Sequence, residues 1–204
     1  MAQKIYYYPI WIRIWHWLNA LLCLFLIVTG LSMQYSDPDS IVIAFNYAVN
    51  IHNVCGVLLS INYLQFFIGN IIYKNSKHYK MGDGFWKKLI LQLRFYSFGV
   101  FKNENPPFPI NEERKFNPLQ RLTYLLIMYV AVPFIIISGW ALLFPEIIIP
   151  QFFGISGVLI TDVLHIITGF IISIFLIVHV YFCTMGTKVG SLFKGMLSGW
   201  VEPH

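Results

Sequence analysis

The sequence predicts an all-α fold, an integral membrane four-helix bundle with an interfacial amphipathic helix in the connection between the second and third spans. Of the 204 residues, 57% are hydrophobic and only 11% are charged, a balance unlike that of soluble domains. Four apolar runs of about twenty residues are long enough to cross a bilayer as helices. The short segments of alternating polarity that a transmembrane β-barrel requires are not visible.

The elements are predicted to form a single membrane domain covering 1–204, with spans at about 14–33, 44–73, 119–144 and 157–184. Three tryptophans at the start of the first span are typical of an interfacial aromatic belt: Trp11, Trp15 and Trp17. Residues 85–101 mix bulky apolar side chains with cations, which favours a helix lying on the membrane surface. The third span is expected to kink near Pro133.

The distribution of charge predicts the orientation in the membrane. Thirteen of the fourteen Lys and Arg residues belong to the N-terminal segment, the 74–117 connection or the 185–204 tail, and the other, Arg121, lies in the first turn of the third span on the same side. The charged residues of the other two loops are all acidic. The positive-inside rule therefore predicts a multi-pass membrane protein with both termini, the connection and the tail cytoplasmic. The net charge of +5 is thus a topology signal and gives no support to nucleic-acid binding.

Four histidines lie in or near the spans: His16, His52, His165 and His179. His165 and His179 are fourteen residues apart, which in a helix is about 21 Å and roughly four turns, so both lie on one face. By depth, His16 pairs with His179 on the cytoplasmic side, and His52 pairs with His165 on the outer side. Ionisable residues within a membrane are costly and usually functional. Because neutral imidazole is a good axial ligand for haem iron, two stacked bis-histidine sites are predicted.

Small residues follow these histidines at the spacing of one helical turn, where a porphyrin would need room: Ala20, Gly56, Gly169 and Cys183. Gly30, fourteen residues after His16, is predicted to leave a gap at the depth of the outer haem. Helix–helix packing is the alternative role for these small residues.

Other ligands and classes of function fit the residues less well than haem does. A closed zinc site needs four nitrogen or sulfur ligands, and two histidines per depth do not supply them. The three cysteines form no C-x-x-C-H motif, which excludes a covalent c-type haem. Arg13 and Arg121 would pair with haem propionates or act as ordinary snorkelling cations. A transporter or proton channel using the histidines, and a purely structural anchor, remain as alternatives.

Four spans, a histidine at the start of spans 1 and 2, and H-x13-H in span 4 resemble the di-haem cytochrome b membrane subunits of respiratory oxidoreductases. These include subunits of formate dehydrogenase, nickel–iron hydrogenase and thiosulfate reductase. The resemblance runs from R-I-W-H-W at 13–17 to S-L-F-K-G-M-L-S-G-W at 191–200. It implies two haem b groups with the same histidine pairing, a quinone pocket beside the inner haem, and a location in the bacterial inner (cytoplasmic) membrane.

The quinone pocket of that family is matched here by K-F-N-P-L-Q-R at 115–121. Asn117 and Gln120 would there bind menaquinone or ubiquinone, since a quinone carbonyl needs a hydrogen-bond donor at the edge of an apolar cleft. Asn117 is also placed to cap a helix whose first residue is Pro118, and the two roles are compatible.

The sequence therefore predicts a di-haem b electron-transfer subunit with no catalytic centre of its own beyond the quinone site. Electrons would pass between quinone on the cytoplasmic side and a partner on the periplasmic side. The expected partner is an iron–sulfur, hydrogenase, molybdenum-enzyme or cytochrome c subunit. A hydrogenase or formate dehydrogenase would reduce quinone, whereas a sulfur-compound reductase would oxidise quinol, and the sequence leaves this direction open.

Overall fold

The computed structural model describes residues 5–35, 43–73, 81–109, 116–184 and 190–201. In those ranges, four helices are long and apolar enough to cross a membrane: Ile10–Gln34, Phe45–Ile72, Pro118–Leu143 and Gly157–Cys183. They confirm the predicted all-α membrane fold class. The helix bounds do not themselves mark where a bilayer begins and ends, so the limits of the spans stay predictions.

Three of these helices are uninterrupted, and we name them α1 (Ile10–Gln34), α2 (Phe45–Ile72) and α6 (Gly157–Cys183). The third span is composite: α4 (Pro118–Leu126), a π-helical turn (Ile127–Ala131) and α5 (Val132–Leu143). The π turn lies next to Pro133, where the sequence predicts a kink. Proline has no N–H to donate to the carbonyl of Tyr129, four residues earlier, and this local loss of a ladder bond favours an irregular turn.

The connection between α2 and α4 contains helix α3 (Phe85–Arg94), which continues through a π-helical turn (Phe95–Gly99) into a 3-10 turn (Val100–Lys102). Phe85, Leu89 and Gln92, spaced by about one turn each, form its buried face. The exposed residues include the apolar Trp86 and Ile90 together with the cations Lys87 and Lys88. This mixture of apolar and basic side chains suits a helix on a membrane surface, and its interfacial position stays a prediction. Parts of the predicted connection and tail, 74–80, 110–115, 185–189 and 202–204, lie outside the described residues.

Two short antiparallel pairings complete the described structure. Strand β1 (Ile5–Tyr6) pairs with β4 (Trp200–Val201), which follows helix α7 (Ser191–Ser198). Strands β2 (Gln151–Phe152) and β3 (Ile155–Ser156) form a hairpin between α5 and α6. Its two-residue turn has positive φ at both Phe153 and Gly154, as a tight turn between twisted strands requires.

The chain divides into two compact units. The histidine unit consists of Ile14–Ile68 and Ala131–His179, and the terminal unit consists of Met1–Arg13, Gly69–Val130 and Val180–His204. In the histidine unit, Leu22 of α1 packs with Cys55 and Leu59 of α2 in a small buried cluster. In the terminal unit, the Arg13 guanidinium donates a hydrogen bond to the Leu197 carbonyl of α7. That bond and the β1–β4 pairing tie the two end segments of the chain together.

Candidate functional site

The structure brings the four intramembrane histidines together as two pairs within the histidine unit. The ring centroids of His16 on α1 and His179 on α6 are 6.2 Å apart. Those of His52 on α2 and His165 on α6 are also 6.2 Å apart. All four rings are half-buried. The partners are the ones that depth along the spans predicts, while their role as haem ligands stays a prediction.

The spacing of the rings fits a metal ion held between two imidazoles. A metal–imidazole bond is about 2 Å long and a ring nitrogen lies roughly 1 Å from its centroid, so two axial imidazoles have centroids roughly 6 Å apart. Within the ranges that the structure describes, no group of three or more His, Cys, Asp or Glu residues is placed to share a metal ion. Each pair therefore suits the two axial positions of haem iron better than a tetrahedral zinc ion.

Each ring of the His52–His165 pair lies against a hydroxyl. Thr29 Oγ1 on α1 is 3.0 Å from His52 Nδ1, and Ser138 Oγ on α5 is 2.9 Å from His165 Nδ1. Neither hydroxyl is predicted from the sequence. The sequence signal for them is a hydroxyl–glycine dipeptide inside a span, T-G at 29–30 and S-G at 138–139, and it is not specific, because T-G also occurs at 168–169.

The glycine of each dipeptide lets the imidazole approach the helix backbone. A Cβ at Gly30 would lie 3.4 Å from His52 Cε1, and a Cβ at Gly139 would lie 3.2 Å from His165 Cε1. The ring of His52 thus lies beside Gly30, whereas a Cβ at Gly56 would meet no atom of the described residues within 4 Å. That Gly30 and Gly56 leave room for a porphyrin stays a prediction.

The His16–His179 pair has different neighbours. His16 Nδ1 is buried and has no hydrogen-bond partner among the residues that the structure describes. Aromatic rings flank both histidines: Trp17 meets His16 edge-on at 5.4 Å, and Phe175 stacks on His179 at 5.5 Å. Each histidine of this pair is therefore in contact with an aromatic ring of its own helix.

The residues predicted to bind quinone form a helix cap at the start of α4, in the terminal unit. Asn117 Oδ1 accepts the Gln120 N–H at 2.9 Å, and Gln120 Oε1 accepts the Asn117 N–H at 3.0 Å. This reciprocal capping box, with Pro118 at the first helical position, is the capping role that the sequence allows for Asn117. The cap leaves the Asn117 amide nitrogen available, and it donates to the Tyr96 hydroxyl at 3.1 Å.

Tyr96 and Gln92 extend this polar cluster and are not predicted by the sequence. Gln92 is 2% exposed and hydrogen-bonds to the Tyr96 side chain, and its buried Oε1 has no hydrogen-bond partner within the described ranges. Burial raises the pKa of Tyr96 in spite of the hydrogen bonds from Asn117 and Gln92, which lower it. The phenol therefore keeps its proton at neutral pH and remains a hydrogen-bond donor.

The two arginines predicted to pair with propionates also lie in the terminal unit. Arg13 donates to the Leu197 carbonyl, and its buried Nε has no hydrogen-bond partner in the described part of the chain. Arg121 follows Gln120 in the first turn of α4. Neither position tests the predicted contact with a propionate.

Membrane-length helices that hold two imidazole pairs at metal-ligand spacing define a class of membrane protein with two bis-histidine sites. The chain belongs to the family described as prokaryotic cytochrome b561, whose profile matches residues 7–199. This membership confirms the resemblance to cytochrome b subunits that the sequence shows.

Individual relatives agree with this assignment. The chain is 34% identical to "Putative cytochrome YdhU" of Escherichia coli (strain K12), over 98% of this chain and 75% of that protein. It is 30% identical to "Probable Ni/Fe-hydrogenase B-type cytochrome subunit" of Rhodobacter capsulatus, over 68% of this chain and 55% of that protein. A protein of the same name from Rhizobium leguminosarum bv. viciae is 28% identical, over 69% and 60%. No solved structure matches the chain.

Family membership makes the chain a b-type cytochrome, an electron-transfer subunit of a bacterial membrane that binds haem b. It does not support the alternatives of a transporter, a proton channel or a structural anchor. The matches to the two hydrogenase cytochrome subunits span only 55% and 60% of those proteins. Neither the family nor these partial matches gives the number of haems, the quinone or the partner of this chain, so these are proposed below.

Proposed function

We propose that the chain is a di-haem b subunit that passes electrons between a membrane quinone and a redox partner subunit. The observation that supports this function best is the equal 6.2 Å spacing of two separate imidazole pairs. His16 with His179, and His52 with His165, would each hold one haem b. Bound haem supplies reversible one-electron transfer, and bis-imidazole ligation leaves no open position on the iron for oxygen.

Helix α6 contributes one ligand to each site and so sets the distance between them. The fourteen-residue interval from His165 to His179 corresponds to a step of about 21 Å along the helix. Helices α1 and α2 supply the opposing ligands, His16 and His52. Since each side chain comes from a long continuous helix, the ligands are held by regular backbone rather than by loops.

The proposed quinone site is the polar cluster at the start of α4. Asn117 and Gln120 are predicted from the sequence, and we add Tyr96 and Gln92 because Tyr96 hydrogen-bonds to both Asn117 and Gln92. A quinone carbonyl needs a donor, which Asn117 and the neutral Tyr96 hydroxyl provide. A quinol hydroxyl needs an acceptor, which the buried Gln92 Oε1 provides. Menaquinone or ubiquinone is the proposed substrate of this site.

The partner and the orientation are proposed from charge and from the relatives. The concentration of cations in the N-terminal segment, the α2–α4 connection and the tail favours cytoplasmic termini and a bacterial inner-membrane location. The two hydrogenase-associated relatives favour a hydrogenase or its iron–sulfur subunit as the periplasmic partner. A molybdenum-enzyme or cytochrome c subunit is the second choice.

Arg13, with its buried Nε, and Arg121 are proposed to pair with haem propionates.

A haem count tests the proposal directly. The protein purified in detergent should show b-type bands in a reduced-minus-oxidised spectrum, with about two haems per chain by the pyridine haemochrome assay. A colourless preparation from haem-replete cells would contradict the proposal. A single haem per chain would contradict the assignment of two bis-histidine sites.

The quinone site has its own test. Asn117→Asp keeps an oxygen that accepts the Gln120 N–H but removes the amide donor, whereas Asn117→Ala removes both and costs the cap, about 1 kcal/mol. With both haems retained, each variant should slow haem reduction by a quinol analogue about tenfold, the effect of losing a donor worth roughly 1.4 kcal/mol. If only Asn117→Ala is slower, Asn117 serves the helix cap and not the quinone.

A further inference from the structure

We propose that Thr29 and Ser138 are positioning residues that fix His52 and His165 in the tautomer protonated on Nδ1, so that each presents an unprotonated Nε2 to the iron. This inference rests on the proposed ligation of haem by these two histidines. It assigns to two intramembrane hydroxyls a role other than helix packing.

The proton of each hydroxyl is already used within its own helix. Thr29 Oγ1 donates to the Phe25 carbonyl at 2.7 Å, and Ser138 Oγ donates to the Phe134 carbonyl at 2.9 Å. A hydroxyl has one proton and two lone pairs. Having donated that proton to a carbonyl, which can only accept, each hydroxyl must accept from the imidazole that it contacts.

The backbone supports the same assignment of the ring proton. His52 also hydrogen-bonds to the backbone of Leu26, and His165 to that of Ile135. Each of these backbone residues lies three positions before the hydroxyl of its helix. Within a helix the N–H is already bonded to the preceding turn, so the group that meets the imidazole is the carbonyl oxygen, which accepts and cannot donate. Both neighbours of each ring are therefore acceptors, and the Nδ1–H form satisfies them.

The adjacent glycines leave space for this contact. A Cβ at Gly139 would lie 3.2 Å from His165 Cε1, so the ring would have to shift by a few tenths of an ångström, and a Cβ at Gly30 would lie 3.4 Å from His52 Cε1, at the edge of an ordinary contact. The same unit, a hydroxyl followed by glycine on one helix and a histidine on its neighbour, thus occurs twice, at Thr29–His52 and Ser138–His165. Two independent occurrences around a single proposed iron argue for a common purpose.

The hydrogen bond has a chemical consequence for the ligand. Donation from Nδ1–H increases the basicity of the imidazole and fixes the orientation of its ring. A more basic ligand stabilises the ferric state relative to the ferrous state. Loss of a hydroxyl should therefore raise the reduction potential of the haem between His52 and His165 and leave the other haem unchanged.

The test uses the full-length haem-loaded protein and a spectroelectrochemical titration of both haems. Thr29→Val and Ser138→Ala remove the acceptors with little change in shape, and Thr29→Ser restores one. Thr168→Val is the matched control, because Thr168 is a buried α6 hydroxyl that donates to the Leu164 carbonyl at 2.8 Å. A His165→Ala variant identifies which haem is which.

Thr29→Val and Ser138→Ala should each shift the reduction equilibrium of the His52–His165 haem toward the ferrous form by about fivefold, the worth of one hydrogen bond, or release that haem alone. Thr29→Ser should match the unsubstituted protein. Unchanged potentials, equal changes in both haems, or an equal change in Thr168→Val would overturn the inference. Absence of haem from the unsubstituted protein would instead contradict the proposed function.

Discussion

The two histidine pairs have the same spacing and different support. In both, the ring centroids are 6.2 Å apart and one ring comes from α6. The His52–His165 pair has a hydroxyl on each Nδ1 and a glycine beneath each ring. In the His16–His179 pair, His16 Nδ1 is buried without a hydrogen-bond partner in the described ranges, and aromatic rings flank both histidines. The spacing of the imidazoles and the atoms that contact them are thus set by different residues of the sequence.

This difference indicates where each site is rigid. Hydrogen bonds to Nδ1 fix both the tautomer and the rotation of an imidazole, whereas aromatic packing alone restricts rotation without choosing a tautomer. His52 and His165 should therefore be more preorganised than His16, whose Nδ1 has no hydrogen-bond partner in the described ranges. Three predictions, from the largest expected effect to the smallest, test this comparison.

Removing one ligand from each pair should have the largest effect. His165→Ala should abolish one haem of two and leave the haem between His16 and His179, and His16→Ala should do the reverse. Haem content and low-temperature difference spectra of the two variants should add up to the spectrum of the unsubstituted protein. His78→Ala, at a histidine predicted to lie outside the spans and located outside the described residues, is the control.

Loss of both haems in either variant, with the protein still folded in detergent, would show that the pairs do not bind independently. The comparison between two separate sites would then fail. Thermal unfolding followed by circular dichroism distinguishes this result from simple destabilisation.

Replacing a glycine beside an imidazole with alanine should have an intermediate effect on haem retention. The effect should be larger where the added Cβ lies closer to the ring. Gly139→Ala places a Cβ 3.2 Å from His165 Cε1, and Gly30→Ala places one 3.4 Å from His52 Cε1. We expect Gly139→Ala to weaken retention of the His52–His165 haem about tenfold, the scale of a disturbed ligand support, and Gly30→Ala to weaken it less. Haem loss to apomyoglobin measures the effect.

Gly82→Ala, in the terminal unit, is the control for this series, since its Cβ would meet no atom of the described residues within 4 Å. If Gly82→Ala releases haem as fast as Gly139→Ala, the close approach of the imidazole is not the cause. Equal haem release from both sites in Gly139→Ala would also contradict the comparison.

Removing an aromatic neighbour of the other pair should have the smallest effect. Phe175→Leu replaces the ring that stacks on His179 with an aliphatic side chain, a change worth about 1 kcal/mol. The haem between His16 and His179 should shift slightly in potential or dissociate a few-fold faster, with no change at the His52–His165 site. An effect confined to the His52–His165 haem would show that the neighbours have been assigned to the wrong pair.

Much of the histidine arrangement follows from helical periodicity. The interval between His165 and His179 fixes them on one face of α6, and depth then matches each with a histidine of α1 or α2. These inferences need only the rise and turn of a helix, which every long apolar segment shares. The capping role of Asn117 is equally local, because Asn before Pro is a strong helix-start signal.

The supporting hydroxyls cannot be found in this way. Serine and threonine inside a span usually donate to the carbonyl one turn earlier, and Thr29 and Ser138 do so here. Their remaining lone pairs become important only where another helix brings an imidazole to them. The contact between Gly30 and the His52 ring could not be predicted either, because the sequence indicates only that Gly30 leaves space at that depth.

The sequence by itself determined that the chain crosses a membrane as apolar helices and that its intramembrane histidines fall at two depths, because both depend on composition and on one-helix geometry. The aromatic neighbours of His16 and His179 are local, since Trp17 is the next residue and Phe175 lies one turn earlier on α6. The tertiary structure decided that hydroxyls and glycines of neighbouring helices contact His52 and His165, and that Tyr96 meets Asn117. These last contacts join residues far apart in the chain, so they depend on how helices pack and leave no periodic trace in the sequence.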